Sequence, residues 1–139
     1  MKKKKVFISI MSILLAICIT LVTIHFVTYR KRSFAEITNN LCDEVDYVVY
    51  EYGGKIENQK LNYENSIKFV NTLKEANYTL DKGEKGCALP DYFKFYNSQQ
   101  QHLFTLNIIV NTQMCISIGD VERVYSVDGW EYDSCNCFM

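Results

Sequence analysis

The run from Val6 to Tyr29, VFISIMSILLAICITLVTIHFVTY, holds 24 residues without one Asp, Glu, Lys or Arg. As an α-helix at about 1.5 Å per residue it reaches roughly 36 Å, against about 30 Å for a bilayer's hydrocarbon core. Fourteen of the 24 are Ile, Leu, Val or Phe. At roughly 0.3 to 0.6 kcal/mol each near the bilayer centre, their transfer into lipid is favoured by several kcal/mol. The polar members Ser9, Ser12, Thr20, Thr23 and Thr28 are small enough to bond their own helix backbone. His25 lies near the far end and reads as a tolerated interfacial side chain. The stretch predicts a transmembrane helix.

Three other readings of such a segment fit less well. The apolar core of a cleaved signal peptide runs to about 15 residues, shorter than this one. The cleavage-like tripeptide Ser33-Phe34-Ala35 directly follows three basic residues, a poor context. A lipoprotein needs a small residue before its modified cysteine, but Ile17 precedes Cys18. A pilin-like helix carries a Glu near its start, and none stands here. The segment therefore reads as an uncleaved signal anchor.

Basic residues flank the anchor as a collar: Lys2, Lys3, Lys4 and Lys5 before it, Arg30, Lys31 and Arg32 after it. Anionic lipid head groups attract such collars, so the lipid bilayer is the first expected partner. Four lysines and the α-amino group outweigh the three bases that follow. The positive-inside bias then predicts a cytoplasmic N-terminus, a cell-membrane location and an extracytoplasmic C-terminal domain. The expected plan is a basic tail at 1–5, a transmembrane helix at 6–29, a juxtamembrane segment at 30–41 and a domain at 42–139.

From Ser33 onward the chain has 16 acids and 8 bases. A domain this acidic repels phosphate backbones, and no basic patch with interleaved aromatics lies past Arg32, so nucleic acid is excluded as a partner. Ten Tyr, eight Phe and one Trp beside a single Pro mark a folded domain rather than a disordered tail. About 100 residues suffice for one small core.

Hydrophobic periodicity supplies the elements. Val45–Tyr52, VDYVVYEY, is rich in β-branched and aromatic residues and stops at Gly53-Gly54, which predicts a strand and a turn. A shorter strand is expected within 56–61. In Asn62–Asn77, Tyr63, Ile67, Val70 and Leu73 recur at helical spacing, with Phe69 and Ala76 widening the face, Asn62 as cap and Glu64 in the first turn. Tyr78–Leu80 reads as an edge strand. Asp81–Asp91, with two glycines and the proline, is the most irregular loop. Alternating runs follow at Tyr92–Tyr96 (Phe93 and Phe95 inward), Leu103–Val110 and Gln113–Ile118, separated by the polar turn 97–102 and by Asn111-Thr112. Val121–Val127 is expected to pair with Trp130–Tyr132 across Asp128-Gly129. The fold class is α+β: one helix on an antiparallel sheet of four to six strands.

Cysteines stand at 18, 42, 87, 115, 135 and 137. Five in an extracytoplasmic domain is an odd number, so at least one is free or bonded to another chain. Cys135 and Cys137 are too close to bridge one another without strain. A disulfide from Cys87 to one of them would tie the tail to the irregular loop. Cys87, Cys135, Cys137 and His102 also offer donors that zinc accepts, without the double C-x-x-C spacing of common zinc sites. Cys115 reads as packing or a free thiol. His102, the only histidine of the domain, falls in a polar turn. Asp43, Glu44 and Asp46 form an acidic cluster that a solvated strand edge explains. No Walker loop, dinucleotide fingerprint or HExxH is present. No catalytic residue, cofactor or metal is called for.

The pattern from Val45 to Tyr132 resembles small extracytoplasmic domains of Firmicutes, the YhfM-like ones. They are similar in an opening strand, a helix like Ser66-Ile67-Lys68-Phe69-Val70-Asn71-Thr72-Leu73, and a strand like Tyr92-Phe93-Lys94-Phe95-Tyr96 after a Pro. Many of those proteins look lipid-anchored; this chain has a span in place of a lipobox. The resemblance implies no catalytic residues. The expected function is a non-enzymatic binding or interaction module at the cell envelope, with another envelope protein as partner. The alternative is a thiol-based redox or metal-handling protein using Cys87, Cys135 and Cys137.

Overall fold

A computed structural model describes residues 2–52, 59–81, 91–110 and 112–130. The chain divides into two compact units, Met1–Arg30 and Lys31–Met139. The first is helix α1, Lys2–Tyr29, which takes in the four lysines as well as the apolar run. Within it, Phe7–Tyr29 is long and apolar enough to cross a membrane. Its polar residues are satisfied locally: Ser12, Thr20 and Thr23 donate to the carbonyls of Ile8, Ala16 and Ile19 at 2.8–2.9 Å. Large apolar side chains from Phe7 to Val27 are exposed all round the helix.

Among the described residues the second unit carries a seven-stranded antiparallel sheet with spatial order β2-β1-β4-β5-β6-β7-β3. The strands are β1 (Tyr47–Tyr52), β2 (Gln59–Lys60), β3 (Asn77–Leu80), β4 (Asp91–Tyr96), β5 (His102–Val110), β6 (Gln113–Ile118) and β7 (Val121–Asp128). Seven strands exceed the expected four to six, because the two-residue β2 and the four-residue β3 each form an edge. The α+β architecture stands as expected: helix α3, Tyr63–Glu75, supplies the layer on one face. Between β2 and β3, α3 carries the chain from one edge to the other. Its 13 residues reach about 20 Å of a sheet roughly 29 Å wide at about 4.8 Å per strand.

The cap of α3 is the expected one, with Asn62 Oδ1 accepting from Asn65 N at 2.8 Å. Its buried face is the expected one in part: Phe69, Val70, Leu73 and Ala76 are buried, but Ser66 is buried with them, Ile67 is half-buried and Tyr63 is 64% exposed. The rotation has a polar cause: buried Ser66 Oγ accepts from Val48 N at 3.0 Å. A buried backbone donor left unpaired costs about 1–3 kcal/mol, enough to favour a serine over a tyrosine on the inner face.

The segment read as juxtamembrane is part of the core. Ser33 caps a one-turn helix α2, Phe34–Ile37, through a capping box: Ser33 Oγ accepts from Glu36 N and Glu36 Oε2 accepts from Ser33 N. Phe34 and Ile37 are buried. The chain then turns through Asn39 and Asn40, both at positive φ, a conformation asparagine tolerates better than most residues. A 3-10 turn, Leu41–Asp43, leads to β1. Upstream, Arg32 N donates to Tyr78 O and Tyr78 N to Arg32 O, at 2.8 and 2.9 Å. That bridge blocks part of the outer edge of β3, an edge that otherwise invites pairing with another chain.

An aromatic chain runs through the core. Phe69 packs on Phe93 and Phe95 at 4.9 and 5.9 Å, and Phe95 on Phe104 at 4.3 Å. Phe34 bridges Phe104 and Tyr78 at 5.9 and 5.5 Å, and Tyr78 meets Tyr125 edge-on at 6.4 Å. Of the side chains expected inward by alternation, Phe93, Phe95, Phe104, Leu106, Ile108, Met114 and Ile116 are buried there, Ile118 is half-buried, and the side chain of Val110 lies outside what is described.

The expected pairing of Val121–Val127 with Trp130–Tyr132 falls largely on residues outside the described ones. Both edges of β7 are occupied, by β6 on one side and β3 on the other. Trp130 packs into the core. Residues 131 and 132, like most of the 81–91 loop, lie outside the described residues.

Candidate functional site

The cavity of interest opens where α2 meets the β6–β7 hairpin. Its volume is about 270 Å³, near the lower end for small-ligand sites. The polar wall is Arg32, Glu36, Asn39 and Arg123. Ile37, Ile116, Ile118, Val121 and Tyr125 form the apolar lining. Register explains the grouping: Ile116 lies opposite Arg123 and Ile118 opposite Val121, so the cavity straddles the β6–β7 ladder. The Arg32–Tyr78 bridge fixes the backbone at the start of α2, and the capping box fixes Glu36. Val121, at the tip of the hairpin, is 54% exposed.

Two guanidiniums against one carboxylate make this wall basic, in a domain with twice as many acids as bases. Glu36 already accepts from the Ser33 backbone. The wall therefore suits an anion, because arginine's planar fork matches carboxylate or phosphate oxygens bidentately.

A second arrangement lies at the other end of the sheet. Lys60 Nζ sits 3.6 Å over the Tyr47 ring, Tyr47 stacks on Tyr96 at 5.1 Å and 7°, and His102 meets Tyr96 edge-on at 5.5 Å. His102 opens β5 rather than ending the polar turn, and its Nε2 lies 2.9 Å from Thr105 Oγ1. Partial burial, with Lys94 nearby, pushes the His102 pKa below its usual value. Lys94 is itself paired with Glu51 at 2.8 Å. The two tyrosines spend facing surfaces on each other, and Lys60 covers Tyr47 from outside. The ladder clads the sheet rather than presenting open rings.

Of the collar, Lys2 to Lys5 fall in the first turns of α1. Arg30 follows the end of that helix. Lys31 Nζ pairs with Asp128 Oδ2 at 2.9 Å, and that hydrogen bond holds the Asp128 carboxyl below its ordinary range. Arg32 lines the cavity. Cys87, Cys135 and Cys137, proposed as a disulfide or thiol site, lie outside the described residues. Cys42 and Cys115 are buried thiols, and Cys115 Sγ donates to Glu122 Oε1 at 2.9 Å. In the acidic cluster, Asp43 accepts from Lys74 Nζ at 2.6 Å, which raises the Lys74 pKa. Among the described residues no three His, Cys, Asp or Glu side chains gather as a metal site would need.

Sequence reasoning missed Arg123. The one available signal was that it is the only arginine beyond the collar. No protein family, curated protein or solved structure matches this chain.

Proposed function

We propose that this is a single-pass membrane-anchored protein whose domain stands on the extracytoplasmic side and acts by binding rather than by catalysis. The observation that carries the reading is α1. Its large apolar side chains are exposed on every side, from Phe7 to Val27, with no polar stripe to face water. A helix apolar all round needs an apolar surround on all sides, and a bilayer supplies one. The basic bias at Lys2–Lys5 supports a cytoplasmic N-terminus.

Binding is favoured over catalysis by the character of the cavity. It pairs an apolar lining with two arginines from opposite ends of the domain sequence, groups that hold an anion rather than move a proton at neutral pH. The expected partner class is another envelope component.

Protease added outside intact cells tests the orientation. Removal of the domain, with an N-terminal fragment left in the membrane, is the expected result; full protection of the chain overturns it. Cross-linking in native membranes then tests the binding role. A recurrent envelope partner supports it, and recovery of uncross-linked chain alone counts against it.

A further inference from the structure

We infer that the Arg32–Arg123 cavity is a site for the head group of an anionic phospholipid; the inference rests on the anchored reading above. Its ligand carries a phosphodiester anion next to an apolar tail, and the cavity has the complementary halves. Arg123 and Arg32 supply the cationic wall, and Ile116, Ile118 and Val121 supply the apolar side. Two guanidiniums against the single Glu36 carboxylate leave the wall a formal excess of positive charge.

Location narrows the choice of anion. Arg32 follows Tyr29 by three residues, a chain reach of at most about 11 Å. The head-group region extends roughly 5–8 Å beyond the hydrocarbon on each side of a bilayer. Chain connectivity alone therefore keeps Arg32 within about 11 Å of the residue that ends the apolar run. The hydrogen bonds between Arg32 and Tyr78 make Arg32 part of the sheet rather than of a loose tether. Val121, exposed at the cavity mouth, is an apolar residue of the kind a head group's glycerol and first methylenes contact.

The chemistry also separates this site from the collar. Lysines at 2–5 attract any anionic surface as point charges, at about 1 kcal/mol each. An arginine fork binds one phosphate with geometry. Neutralising the lysines should weaken every anionic lipid to a similar degree, whereas altering the cavity should remove one tighter lipid.

The test is native mass spectrometry of the full-length protein in detergent, titrated separately with phosphatidylglycerol and phosphatidylcholine. The expected result is one phosphatidylglycerol held about tenfold or more tighter than phosphatidylcholine, the scale of a hydrogen bond to a charged group. Arg123→Gln should erase that preference and leave phosphatidylcholine binding as it was. Val121→Asp, at an exposed position where folding is little affected, should erase it too by placing a carboxylate at the mouth. A preference that survives both variants overturns the inference. So does displacement of the tight lipid by a large excess of inorganic phosphate, which would make this a free-anion site. A full-length chain that stays in solution without detergent sinks the anchored reading itself, and shows this before any lipid is added.

Discussion

Phe34→Ala tests whether the chain just past the anchor belongs to the fold. Phe34 has no exposed surface and its ring meets both Tyr78 and Phe104. Burying a phenylalanine side chain is worth about 2–3 kcal/mol by transfer. Each aromatic pair adds about 0.5–1.5 kcal/mol. The sum, about 3–6 kcal/mol, overlaps the usual cost of buried Phe→Ala, about 3–5 kcal/mol. The protein has one tryptophan, Trp130, which is buried in the same core, so its fluorescence reports on the domain alone. In urea titration of the full-length protein in detergent, the midpoint should fall by about 1 M or more at unchanged slope, given slopes near 1–3 kcal/mol/M. Tyr63→Ala is the contrast. Tyr63 occupies a position that periodicity alone assigns to the core, yet it is exposed, and its loss should cost under about 0.5 kcal/mol. A Phe34→Ala protein within about 1 kcal/mol of wild type, or a Tyr63→Ala protein as damaged as Phe34→Ala was expected to be, would refute the packing described here.

Ser66→Ala should cost about 1–3 kcal/mol in the same titration, because it leaves the buried Val48 N–H unpaired; a neutral result would mean that bond contributes nothing. His102 should make stability pH-dependent. Its folded pKa is lowered from 6.5, so the unfolded chain binds the proton more readily. Stability should be full above pH 6.5, decline as pH falls below it, and level off beneath the folded value. His102→Gln should flatten that slope, and an unchanged slope would assign it to other groups. Maleimide labelling of the folded protein, read by peptide mass, should leave Cys42 and Cys115 unmodified until denaturant is added; rapid labelling of either would show that its buried position is wrong.

The strands were the most legible part of the fold, since Phe93/Phe95 and Phe104/Leu106/Ile108 alternate cleanly along half-buried ribbons. The existence and cap of α3 were legible too, from Asn62 and the 3.6-residue period. Its rotation was not, because a hydrogen bond from Val48, far away in sequence, draws Ser66 inward. The place of β7 beside β3 was hidden for a related reason: the two strands lie far apart in sequence, and no local pattern encodes their pairing. A one-turn helix such as α2 is too short to show periodicity. The cavity depends on Arg32 and Arg123 meeting across the domain, which no local pattern encodes. The apolar helix was legible throughout, since length and composition alone make Phe7–Tyr29 long and apolar enough to cross a membrane.

Washing native membranes with alkaline carbonate tests the central claim most directly. The chain should stay with the membrane pellet, intact at its N-terminus, and come off only in detergent. Release into the wash, or a shortened form starting near Glu36 in the medium, would contradict it.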